Sequence, residues 1–191
     1  SYEDAGMDVL LLDAGDHIQG TAYGAMDKGA SIIKLMNSAG YDLATLGNHE
    51  FDYGMDRILE IVNEEANFPY ISCNFKDLRT GKKVLPAIKY FFRGGRILAF
   101  IGVTTPETIT KSTPAYFQDE SGNYIYGFCE GHGGQDLYDN VQASVDAARA
   151  EGADYVVAGA APGIEGANAP WPPTGLIAHD TRIDAVLAGD P

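Results

Sequence analysis

An α/β sandwich of sheets flanked by helices is what this sequence predicts, on three observations. Short apolar runs, Val9-Leu10-Leu11-Leu12, Asp42-Leu43-Ala44-Thr45-Leu46 and residues 97–103, have the length and composition of buried strands. Between them lie stretches whose apolar residues recur every three or four positions, as amphipathic helices require. Glycines punctuate the joints, at Gly15, Gly40, Gly47 and Gly152. Strands alternating with helices argue for one α/β unit over residues 1–191, a length that supports a sizeable core.

The elements follow in order. Residues 8–12 read as a central strand buried on both faces. The loop 15–24, with glycines at 15, 20 and 24, should wrap a site. A helix over 27–38 places Ile32, Leu35 and Met36 on one stripe and stops at Gly40. A second strand runs into Gly47. Met55, Ile58, Leu59 and Val62 keep helical spacing, with Asp56 in the first turn where it suits the dipole. Residues 68–73 read as a strand and 82–90 as an irregular or edge strand. Gly94-Gly95 turns a hairpin between residues 89–93 and the buried strand 97–103. The polar, Gly/Tyr-rich stretch 104–134 reads as an insertion over one edge, with His132 exposed. A helix over 135–150 turns Leu137, Val141, Val145 and Ala148 inward. A strand at 155–158, a rigid Pro170-Trp171-Pro172-Pro173 loop, a short helix at 176–179 ending in His179 and a last strand at 183–187 complete the chain.

Composition narrows the function. A formal charge of −14 and a pI near 4.4 exclude binding of nucleic acid through its phosphates, because nothing basic replaces the counterions. Such a chain holds a phosphate ester only if divalent cations mediate the contact. Cys73 and Cys129 lie in no cysteine framework and are expected to be unpaired. No apolar run approaches a membrane span, and no signal peptide is recognisable at Ser1.

Chemistry concentrates after the first two strands. Leu46-Gly47-Asn48-His49-Glu50-Phe51-Asp52-Tyr53-Gly54 sets metal- and proton-capable side chains behind a glycine at a strand end. Open α/β sheets place their sites there. Asn48 offers a carbonyl oxygen, His49 a ring nitrogen or a proton, and Asp52 a carboxylate to orient that ring. Upstream, Asp13-Ala14-Gly15-Asp16-His17-Ile18-Gln19-Gly20-Thr21 repeats the design, with Asp16 facing the same edge. Taken singly, each of these residues fits a polar turn. Together they do not.

The Gly-Asp-x-x-Gln-Gly-Thr and Gly-Asn-His-Glu-Phe-Asp-Tyr-Gly runs resemble the calcineurin-like metallophosphoesterases, within them the 5′-nucleotidase branch of secreted and surface-bound bacterial enzymes. Thr104-Thr105-Pro106-Glu107-Thr108 and residues 152–157 extend the similarity over most of the chain. The resemblance implies mixed sheets flanked by helices, incomplete at both ends here, and two divalent metals such as manganese or zinc. Asp16 then matches the metal-bridging carboxylate and Asn48 a ligand of one metal. His49 matches the residue that contacts phosphate and leaving oxygen, and Asp52 its paired acid. It implies release of phosphate from nucleotide monophosphates, an extracellular, cell-surface or periplasmic location, and a C-terminal nucleoside-binding domain that this chain lacks.

The rest of the implied ligand set departs from the pattern. An Asp-x-His pair would lie ahead of Ser1, Ala161 stands at a ligand histidine's place, and Asp190 stands at the first histidine of a terminal pair. Metal binding is therefore expected to be weak and the isolated chain impaired. Two alternatives remain: a catalytically degenerate domain kept as a binding or structural module, and a cyclic-nucleotide phosphodiesterase on the same fold.

Overall fold

The computed structural model describes residues 1–160, 175 and 180–189. Among these the strands form three sheets. In the first, β1 (Leu12–Asp13), β2 (Leu43–Thr45) and β3 (Tyr70–Ile71) run parallel in that order. The small second sheet is antiparallel: β4 (Lys76–Asp77) lies between β5 (Lys82–Lys83) and β8 (Tyr126–Gly127). In the third, β6 (Ile88–Arg93) and β7 (Arg96–Val103) form a hairpin, and β9 (Tyr155–Ala160) and β10 (Ala185–Ala188) add to β7 in parallel.

Strand alternation builds the layers. Successive side chains leave a strand on opposite faces. Leu43, Ile71 and Phe100 meet Leu98 and Val157 between the first and third sheets. One residue on, Ala44, Leu46 and Tyr70 point outward onto α2 (Ala30–Ala39) and α3 (Met55–Glu60) through Ile33, Met36 and Ile58. On the far side Ala99, Ile101, Val103, Val156 and Ala158 cover α5 (Gln135–Ala150) through Leu137, Val141, Val145 and Ala148. The result is helix, sheet, sheet, helix. Where the sheets touch, the Cys73 N–H donates to the Gly102 carbonyl at 2.7 Å. A Cβ on Gly102 would strike the Ile71 carbonyl, so that contact requires a glycine.

Several expectations change. Residues 8–11 do not form a central strand: β1 is an edge of its sheet and only two residues long, leaving Val9 40% and Leu11 37% exposed. A short helix α1 (Ala22–Met26) occupies the loop expected over 15–24, capped by the Thr21 hydroxyl. The helix predicted from residue 27 starts at Ala30 behind Gly29, and its Leu35 is 66% exposed, because Ile33 and Met36 carry the stripe. Gly40, at φ 78, ends it as expected. The edge strand over 82–90 splits into β5 and the start of β6.

The 104–134 stretch is not a polar insertion. It contains α4 (Thr108–Lys111), a 3₁₀ turn Pro114–Phe117 and β8, and it sends Phe117 and Phe128 into the core. Their rings, with Phe75, stand around Phe51 at centroid distances of 5.3–5.4 Å, all edge-on to it. Cys73 and Cys129 are free thiols, and burial pushes the Cys73 thiol up to about 12. The 170–173 loop, the 176–179 helix, Ala161 and Asp190 lie outside the described residues.

Candidate active site

Because β1 and β2 are parallel, the loops that follow them leave the sheet at the same edge. Two glycines let these loops touch. Gly15 has φ 102, and a Cβ there would sit 2.5 Å from the Gly47 nitrogen. A Cβ on Gly47 would land on the Asp16 carboxylate. Asp16 itself has φ 65, a left-handed conformation uncommon for a side-chain-bearing residue and one that needs surrounding support. Its Oδ1 accepts the His49 backbone N–H at 2.8 Å. The two motifs, 33 residues apart, thus form one cluster.

His49 follows on a 3₁₀ turn, His49–Phe51. Its Nδ1–H donates to Asp52 Oδ2 at 2.7 Å, while 44% of the side chain stays open to solvent. Asn48 is 7% exposed, and no hydrogen bond engages its side-chain amide among the described residues. Asp16, Asn48, His49 and Asp52, the four residues singled out in the sequence, therefore stand together.

Glu50 belongs to the same cluster and was quoted in the sequence motif without a role. Fully buried, it accepts N–H bonds from Asp16 (2.7 Å) and Gly47 (2.6 Å) on Oε2, and from His17 (2.8 Å) and Ile18 (3.4 Å) on Oε1. The Gly47-x-x-Glu50 spacing carried that signal, since an acid three residues on reaches back to a turn's first N–H, as in a capping box. His17, Asp13 and Tyr70 were also missed. His17 Nδ1–H donates to Asp13 Oδ1 at 2.6 Å, and Nε2 shares a 2.7 Å hydrogen bond with the Tyr70 hydroxyl. Nothing in the spacing reveals Tyr70, which arrives 53 residues later on β3.

Charge density sets the electrostatics. Burial, and then the neighbouring Glu50 charge, hold the Asp16 carboxyl above the usual carboxylate range. For His49, burial lowers proton affinity, but the Asp52 hydrogen bond and the Asp16 charge outweigh it and favour the imidazolium. His17 balances the same way, with Glu50 and Asp13 outweighing a larger burial effect. A carboxylate unhappy with its charge, beside the largely buried Asn48, suits a hard cation. The fit is partial: Asp16 and Asn48 are two donors, and no group of three His, Cys, Asp or Glu side chains able to hold a metal exists among the described residues.

Comparison with known proteins shows what the chain is similar to. No family model matches the chain. A snake venom 5′-nucleotidase from Gloydius brevicauda is 42% identical over 120 residues, 59% of this chain and 20% of that protein. The 5′-nucleotidase of Homo sapiens is 39% identical over 125 residues, covering 59% of this chain and 21% of its own. The crystal structure of the calcineurin-like phosphoesterase YfkN from Bacillus subtilis superposes with a TM-score of 0.74 at 26% identity, over 94% of this chain and 57% of that one. The chain is similar in fold to calcineurin-like phosphoesterases and, over 59% of its length, in sequence to proteins named 5′-nucleotidase. Its α/β sandwich is the metallophosphoesterase fold, and it spans about a fifth of the length of these curated relatives. They come from venom, mammals and bacteria alike.

Proposed function

We propose that this metallophosphoesterase chain is part of a metal-dependent phosphoric ester hydrolase of the 5′-nucleotidase type, acting on nucleotide monophosphates. One observation carries the reading: the Asp16 carboxylate and the His49–Asp52 pair are joined at one sheet edge by the 2.8 Å bond from the His49 N–H. Asp16 and Asn48 would hold a divalent cation, which when bound supplies charge stabilisation for the phosphoryl group and an acidified water. Asp52 accepts the hydrogen bond from Nδ1–H and fixes the ring, so Nε2 is the atom free to act. A protonated Nε2 donates to the ester oxygen as the P–O bond breaks, and a water oxygen forms the new bond to phosphorus.

With two candidate ligands among the described residues, metal binding by this chain is weak and turnover low. Partners of metal ligands alone change affinity or activity about 10–100-fold, and ligands themselves change it more. The same count supports a second reading, a degenerate domain retained as a binding module. As in the relatives' branch, the reading includes nucleoside recognition by a separate C-terminal domain and a location outside the cytoplasm. No helix among the described residues is long and apolar enough to cross a membrane. Phosphate release from a nucleoside 5′-monophosphate with manganese separates the readings. The hydrolase reading expects slow release by the unsubstituted chain and at least tenfold less by His49→Gln. Equal rates in the two proteins would sink it.

A further inference from the structure

Glu50 is the acid of the cluster that the proposed chemistry leaves unused. Both of its oxygens are filled from the protein side. Oε2 takes one N–H from each motif loop, Asp16 and Gly47, while Oε1 takes His17 and Ile18 and lies 3.5 Å from the His17 ring nitrogen. With no surface exposed, it has no room for a substrate or a cation.

Besides Glu50, the His49 N–H bond to Asp16 joins the two loops directly, and the His17–Tyr70 bond ties the first of them to β3. β1 contributes two residues of pairing at a sheet edge, and the touching positions, Gly15 and Gly47, have no side chains. Asp16 sits in a left-handed conformation that persists only when its surroundings enforce it. Backbone N–H bonds to a carboxylate are charge-assisted and shorter than neutral ones, as the 2.6–2.8 Å distances show.

We propose that Glu50 is a positioning residue: its buried carboxylate ties the loop after β1 to the loop after β2, setting Asp16 beside Asn48 and His49. The inference deepens the reading above and rests on it for the identity of the site. Glu50→Gln tests it, because the amide group keeps the size but turns one oxygen into an N–H donor. That group then faces either the Asp16 and Gly47 pair or the His17 N–H, and neither can donate to it.

The experiment is amide hydrogen exchange and manganese-induced line broadening on the ¹⁵N-labelled full chain. In Glu50→Gln, protection at Asp16, His17 and Gly47 is expected to fall at least tenfold, while amides of β7 and α5 change less than twofold. Broadening of Asp16 and Asn48 then requires about tenfold more manganese, the scale seen when a ligand's support is removed. Unchanged protection at the three amides, or an equal loss in β7 and α5, overturns the proposal, the latter by making Glu50 a general stabiliser. Failure of the metal reading shows separately, as no broadening in the unsubstituted chain, and the exchange pattern still decides whether Glu50 ties the loops. If Glu50→Gln does not fold, the unsubstituted chain decides: protection of the three amides at the level of β7 supports the tie. Exchange like that of the exposed 119–123 turn refutes it.

Discussion

The two sheets of this sandwich are held by different physics. The third sheet has strands of four to eight residues, and under α5 it is sealed by a mainly aliphatic cluster that also takes in Tyr138 and Cys73. The first has strands of two or three residues and ends in the loops that carry the candidate site. Those loops are fixed by a buried carboxylate, by contacts between glycines and by a nest of phenylalanines beneath Phe51. Apolar packing tolerates small shifts at modest cost. A polar network does not, since each unmet donor costs its full desolvation. A rigid half thus carries a half whose precision depends on a few hydrogen bonds.

Substitutions can break or sharpen that contrast. The largest expected effect is Phe51→Ala, which removes the ring at the centre of the aromatic nest and should cost about 3–5 kcal/mol in denaturant unfolding. A loss under about 1 kcal/mol would mean the nest does not hold the site's floor. Leu137→Ala, in the α5 layer, is expected to cost about 2–5 kcal/mol while leaving the amide signals of Asp16 and Gly47 in place. Shifts at those signals would show the halves to be coupled. Gly47→Ala should cost about 1–3 kcal/mol by overpacking, and should displace Asp16 and weaken manganese binding. Unaltered binding would mean the loops do not need their close approach.

The smallest effect is electrostatic. His49 binds its proton more tightly than a free imidazole, whose value is about 6.5. Its contribution to stability is therefore complete below that value and lost as pH rises through the higher folded-state value. Asp52→Asn removes the hydrogen-bonded carboxylate, so the His49 titration followed by NMR should move down. The stability difference from the unsubstituted chain should appear at acid pH and vanish at alkaline pH. An unmoved titration would place the perturbing charge elsewhere.

Legibility in the sequence follows the same division. α5 and the β6–β7 hairpin were readable because burial on one face writes a period into the chain and Gly94-Gly95, at φ 56 and 73, writes the turn. That Asp16, Asn48, His49 and Asp52 stand together was readable because their motifs are local. Phe117 and Phe128 were not, since they sit in a stretch rich in glycine, tyrosine and polar residues and have no periodicity to mark their burial. The edge position of β1 was misread because a strand's neighbours are set by the sheet and not by its own apolar run. Tyr70 reaches His17 only through the β2–β3 pairing, a relation no local pattern encodes.

The central claim is that the loops after β1 and β2 form one cation and phosphate site. Anomalous diffraction from crystals soaked in manganese and phosphate tests it most directly. The account predicts a manganese peak bounded by the Asp16 carboxylate and the Asn48 side-chain oxygen, with a phosphate oxygen facing His49 Nε2. A peak bound elsewhere on the acidic surface, with Asp16 and Asn48 bare, would contradict it.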